Sequence, residues 1–185
     1  AGRIGSVFQG MSMTGTDAGS ELASFLAHSL ELEAEARERY GELAESMAGH
    51  RNQPVADFFR RMATEAEHHL QEVAELAVGM ALPELKAWEF DWPEAEAPET
   101  SSYEALHYRM SLRQAMQLAL ENECAAERYY RSFASTSDDP DTVRVATGFA
   151  DEELQHAAEL ERMMADLPEQ AALLREEDDE PHMPE

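Results

Sequence analysis

The stretch Phe149-Ala-Asp-Glu-Glu-Leu-Gln-His156 sets Glu153 and His156 three residues apart inside an apolar helical stripe formed by Val145, Phe149, Leu160, Met163 and Leu167. Residues i and i+3 of a helix lie about 60° apart and project together. Both polar side chains therefore fall on a core face. Burying an unpaired carboxylate costs several kcal/mol or forces it neutral, so a Glu-x-x-His pair in a helical core calls for a cation or a hydrogen-bond network. In four-helix bundles the same pair forms one quarter of a di-metal site, completed by another Glu-x-x-His and by a single Glu from each of the two remaining helices.

The rest of the chain reads as a bundle able to supply those quarters. Helix formers dominate its 185 residues, which hold only 9 Gly and 8 Pro, and no alternating β-branched run of strand length occurs. The expected class is all-α: a single four-helix bundle at 17–167, preceded by a flexible arm at 1–16 and followed by an acidic, solvated tail at 168–185. The first helix follows a cap at Asp17 or Ser20 and runs to about Ala48, with Leu22, Phe25, Leu26, Leu30, Tyr40, Leu43 and Met47 as its stripe. Gly49 and Asn52-Gln53-Pro54 separate it from a helix over Pro54–Met80. Residues 81–102, rich in Pro, Trp and acid, are too long for a tight turn and read as a crossover, with Trp88 and Trp92 anchoring it on the bundle. A short helix over Tyr103–Met110 leads to Ser111, which caps a helix over Leu112–Ser135. Ser137-Asp-Asp-Pro-Asp141 stops that helix and caps the last one, Asp141–Ala165.

The two halves resemble each other. A shift of 90 residues lays Leu30-Glu31-x-Glu33 on Leu120-Glu121-x-Glu123 and Tyr40 on Tyr130, and a shift of 87 or 88 lays His69 or His68 on His156. Internal duplication follows as an expectation. Glu33, Glu123 and Glu153 occupy apolar faces of three separate helices, an arrangement that disfavours a core without a cation. Each Tyr lies two turns along the face of its Glu, placed to stand behind a metal ligand or simply to fill the core.

The helix-two quarter is ambiguous. Met62-Ala-Thr-Glu-Ala-Glu-His-His69 offers Glu65-x-x-His68 literally, yet the stripe of Phe58, Phe59, Met62, Val73, Leu76 and Ala77 places His69 well inside, Glu65 at its edge and His68 away. Matching this helix to the last one pairs His69 with His156 and puts Ala66 where Glu153 stands. Either the helix is locally overwound so that Glu65 and His68 face inward, or Glu65 pairs with His69 at i+4. Glu72 is a reserve carboxylate.

Glu33 with Tyr40, Glu65 with His68 or His69, Glu123 with Tyr130, and Glu153 with His156 resemble the rubrerythrin branch of the ferritin-like superfamily over about residues 20–165. The resemblance implies a ferritin-like four-helix bundle with a carboxylate-bridged centre of two Fe ions and a homodimeric assembly. It makes Glu33 and Glu123 terminal ligands, Glu65 and Glu153 bridging ones, and the histidines terminal nitrogens. Two departures stand out. The single cysteine, Cys124, excludes the four-Cys rubredoxin module, so electrons come from Fe(II) or an external donor. Ala126 stands where rubrerythrin carries a further Glu, so its peroxide-linked ligand switching does not carry over with the resemblance.

Hard oxygen donors with two imidazoles suit Fe, with Mn as the alternative, and the lack of thiolates disfavours structural zinc. The expected activity is oxidoreduction, with peroxide or O2 as oxidant. The competing expectations are iron binding or storage without turnover, and a metal-poor interaction module whose helix-two site has decayed. With 39 acidic against 14 basic residues and a net charge of -25, the chain attracts cations and repels nucleic acid and anionic membranes. No run is long and apolar enough for a membrane span, and residues 1–17 lack the core of a secretion signal, so a cytoplasmic setting is expected. Cys124 reads as a buried spectator beside Glu123.

Overall fold

The computed structural model describes residues 18–85 and 110–168. Among them the chain forms four helices: α1 at Ala18–Gly49, α2 at Gln53–Leu76, α3 at Leu112–Thr136 and α4 at Pro140–Ala165. The N-terminal arm, the crossover beyond residue 85 with Trp88 and Trp92, the helix expected at Tyr103–Met110 and the tail after residue 168 lie outside the described residues. No helix among the described residues is long and apolar enough to cross a membrane.

The helices pack as two antiparallel hairpins, α1 with α2 and α3 with α4. Each turn has its own chemistry. Between α1 and α2 the chain reverses at Arg51, whose φ of 60° is left-handed, while Gly49, expected as the stop, is the last helical residue. A non-glycine residue there costs about 1–2 kcal/mol, and the Asn52 N–H donating 2.9 Å to the Met47 carbonyl helps to hold it. Between α3 and α4, Asp139 caps α4, its Oδ2 accepting from the Thr142 N–H at 3.0 Å and the Thr142 hydroxyl at 2.6 Å. Ser111 caps α3 in a reciprocal box with Gln114, satisfying two of the helix's otherwise orphaned donors.

Two boundaries differ from expectation. Ser20 lies inside α1 and so cannot cap it. The second helix ends at Leu76, four residues early, because Ala77–Gly79 turns and Gly79 takes a φ of 82° that ends the helical path.

Asn52, at the start of α2, donates through Nδ2 to the Met110 carbonyl at 2.7 Å, just before α3 begins. Helices α2 and α3 therefore start at the same end and run parallel. The connection between them leaves from one end of the bundle and returns at the other, which is the long crossover expected.

The core has two apolar parts. One gathers Tyr40, Met47, Val55, Phe59, Met62, Met116 and Leu160. The other gathers Leu22, Phe25, Val73, Tyr130, Val145 and Phe149, with the Phe25 ring against those of Tyr130, Phe133 and Phe149 at centroid distances of 5.2–5.9 Å. Between them, midway along all four helices, lies a polar layer holding Glu33, His69, Glu123, Glu153 and His156. Ala66, buried at the same level, belongs to neither apolar cluster.

Candidate metal centre

Glu33 and Glu153 are each only 5% exposed, in a core that otherwise buries few polar groups. Each histidine faces the carboxylate of its own hairpin: His69 Nδ1 lies 3.7 Å from Glu33 Oε2, and His156 Nδ1 lies 3.5 Å from Glu123 Oε2. Across the hairpins the two imidazoles stack, with centroids 4.9 Å apart and planes inclined by 15°. His156 also lies 3.5 Å from Glu153 Oε2, and Glu153 is hydrogen-bonded to Glu123.

The tyrosines cross the hairpins. Tyr130 of α3 donates to Glu33 Oε1 of α1 at 3.1 Å. Tyr40 of α1 accepts from Asn122 Nδ2 of α3 at 3.1 Å, in the field of Glu123. Each ring is embedded in one apolar cluster with its hydroxyl at the polar layer. Burial, reinforced by the carboxylates alongside, pushes both phenols far above their ordinary pKa.

Protons here occupy the electrostatic place of a cation. Burial, then the neighbouring Glu123, raises Glu153 well above the usual carboxylate range. Glu123 is lowered: burial opposes this, but His156 and the hydrogen bond from Glu153 outweigh it. Burial pulls His69 down, yet Glu33 and Glu153 hold it up at about 9. His156 is raised in the same way, chiefly by Glu123 against its own burial. The shifts thus favour a proton on Glu153 and on both imidazoles, the direction expected of a donor set that gains from replacing protons with metal.

Three groups of side chains bring their donor atoms within 4.8 Å of one another: Glu33 with His69 and Glu153; Glu123 with Glu153 and His156; and His69 with Glu152 and His156. The first two share Glu153. Of the residues singled out in the sequence, the structure therefore brings together Glu33, His69, Glu123, Glu153 and His156. It does not bring in Glu65 or His68. Helix α2 is continuous, with no overwound or bulged turn, so both point to solvent and Ala66 takes the inward position three residues before His69. Glu65 still lies near enough to help hold the proton on His156. Glu72, the reserve carboxylate, lines a small cavity with Glu33, His69, Glu152 and Glu153, closed on its apolar side by Val73, Tyr130 and Phe149. Glu152 was not anticipated from the sequence, although its position four residues before His156 is helical ligand spacing. Cys124 is half-buried beside the site and outside these groups.

The model of the rubrerythrin family matches residues 24–117 and 114–183. The chain belongs to the rubrerythrin family. A solved structure of an uncharacterized conserved protein from Magnetospirillum magnetotacticum MS-1 is 36% identical, superposes with a TM-score of 0.64, and covers 79% of this chain and 95% of its own. No curated protein matches the chain. Membership establishes the ferritin-like fold and carries di-iron oxidoreduction as the family's general chemistry. The carboxylate and imidazole donors fit such a centre, and no four-cysteine module accompanies it in this sequence.

Proposed function

We propose that this protein is a non-haem di-iron oxidoreductase that reduces peroxide or O2, taking electrons from Fe(II) itself or from an external donor. The observation that carries the reading is the pair of three-residue donor groups joined by Glu153. Glu153, common to the two groups, would help to hold two divalent ions, and a buried layer of this charge is otherwise costly. Iron is favoured by the mixture of carboxylate and imidazole, with Mn as the alternative. Two iron ions held there would supply the two electrons that cleavage of a peroxide bond consumes.

The chain's own contribution is positional. Tyr130 fixes the orientation of Glu33 through its hydroxyl, the two apolar clusters keep water from the layer along the bundle axis, and the acidic surface draws cations inward. His69 and His156 retain 17% and 24% side-chain exposure against 6% for Glu153. The imidazole side of the site is therefore the side more open to a small oxidant.

Elemental analysis of the protein as purified, joined to absorption spectra of the Fe(II)-loaded form before and after hydrogen peroxide, tests this reading. Two irons per chain and a rapid near-ultraviolet band on oxidation are expected. Ala66 supports a second reading, an interaction module that has lost its metal. Less than half a metal ion per chain, unimproved by anaerobic Fe(II) loading, would establish that reading and remove the first.

A further inference from the structure

Three carboxylates, Glu33, Glu123 and Glu153, leave two divalent ions one negative charge short of neutrality. The bundle pattern fills that deficit with a carboxylate from the helix-two Glu-x-x-His, where this chain has the buried methyl group of Ala66. A net charge left in a layer between two apolar clusters is strongly disfavoured. A carboxylate from another position of the chain would supply the missing charge.

We propose, building on the di-metal reading above, that Glu152 is a metal ligand that replaces the carboxylate absent at Ala66. A Glu152 carboxylate oxygen and one nitrogen from each of His69 and His156 lie within 4.8 Å of one another. The stacked imidazoles come from different hairpins, so a carboxylate within reach of both could serve either half of the centre. Glu152 precedes Glu153 directly, and a helix turns by about 100° per residue. One residue therefore reaches His156 at i+4 while the next reaches it at i+3, and α4 presents two carboxylates where the pattern asks for one. Glu152 also lines the cavity beside Glu33, His69 and Glu153, so its side chain borders the same space as three of the proposed donors. Its ion-binding role is hidden from motif matching because the compensating residue lies on a different helix from the loss.

Glu65 and Glu72 are the rivals. Glu65 is exposed on α2, one residue before Ala66, and Glu72 lines the same cavity as Glu152 but belongs to none of the three donor groups.

The test is anaerobic Co(II) titration of the full chain, followed by visible absorption and calorimetry, on the unmodified protein and on Glu152→Gln, Glu65→Gln, Glu72→Gln and the double variant Ala66→Glu/Glu152→Gln. The expected result is two Co(II) per unmodified chain, weakening of one equivalent by about tenfold or more in Glu152→Gln, recovery in the double variant, and little change in the other two. Amide for carboxylate preserves volume, and circular dichroism of each metal-free variant checks that the bundle is intact. Unchanged binding of both ions by Glu152→Gln overturns the proposal, as does loss confined to Glu65→Gln or Glu72→Gln, and either outcome leaves the di-metal reading standing. Failure of the unmodified chain to bind Co(II) overturns both.

Discussion

The two hairpins place equivalent parts in equivalent positions and differ most at one. In the first, Glu33 of α1 faces His69 of α2; in the second, Glu123 of α3 faces His156 of α4. Each hairpin also contributes a tyrosine whose hydroxyl reaches across to the other. The correspondence ends one turn before each histidine, where α4 has Glu153 and α2 has Ala66. The second hairpin consequently holds a complete three-residue donor group, Glu123, Glu153 and His156, whereas the first must borrow Glu153. The comparison teaches that a near-repeat can keep its packing and imidazole yet pass its charge to the other copy.

The sharpest way to break this asymmetry is Glu153→Gln. Removing the shared carboxylate should weaken both ions by about 100-fold or more, while the metal-free chain keeps or gains stability because a forced proton is no longer needed. Metal titration and thermal unfolding of the same preparation check the two signs. Restoring the symmetry by Ala66→Glu should have the reverse balance. The metal-free chain should lose about 3 kcal/mol in urea denaturation, from one more carboxylate in the layer, and metal loading should recover it.

The pH dependence separates protons from metal in the same layer. His69 has a folded pKa of about 9, above its ordinary 6.5. Its contribution to the metal-free fold is therefore fully present below about pH 6.5 and lost as pH rises through about 9, on the order of 3 kcal/mol. The raised pKa of Glu153 acts in the same direction: protonation favours the fold below the ordinary carboxylate pKa, and that benefit fades as pH rises toward the folded value. Metal affinity should run the other way, rising over this range as ions cease to compete with protons. Urea denaturation with and without metal should diverge with pH, and parallel curves would count against the protonation pattern described.

Smaller effects discriminate within α2. His69→Ala should weaken one ion by about tenfold, whereas His68→Ala, exposed, should leave metal binding unaltered and stability within about 0.5 kcal/mol. Equal effects in a side-by-side titration would contradict the inward assignment of His69. Last, Tyr130→Phe should cost about 2 kcal/mol in the metal-free chain, since it removes a buried hydrogen bond to a carboxylate. Tyr40→Phe should cost no more, because Asn122 is only part-buried and can turn to water.

Much of this was legible in the sequence where polar residues interrupt an apolar period. Glu33, Glu123, Glu153 and His156 stand out because a stripe of Leu, Phe and Met leaves no other reason for a charged side chain there. The same stripe puts His69 inside and exposes Ala66, yet it leaves the choice between His68 and His69 open, because a local overwinding could turn Glu65 and His68 inward. Literal spelling misleads at Glu65-x-x-His68, where the motif falls off the buried face in a chain rich in Glu. Glu152 was not legible because its role depends on the distance to His69, a relation between hairpins that no spacing within one helix reveals. Which tyrosine serves which carboxylate was hidden for the same reason: Tyr130 shares a face with Glu123 along α3, yet bonds to Glu33 across the bundle. The end of α2 required knowing that Gly79 adopts a left-handed φ rather than continuing the turn.

The bond from Tyr130 to Glu33 joins one hairpin to the other at the level of the centre. So does the donor group of Glu33, His69 and Glu153, while Glu123, Glu153 and His156 all belong to the second hairpin. An ion held wholly within one hairpin leaves the separation of the halves unhindered; an ion held between them is a clasp. Loading the straddling position should therefore slow the joint opening of the two hairpins, and with it the exchange of the amide protons buried along their shared seam. Two ions in these positions would be chemically alike but mechanically distinct: one would ride on a single pair of helices, and the other would hold the pairs together.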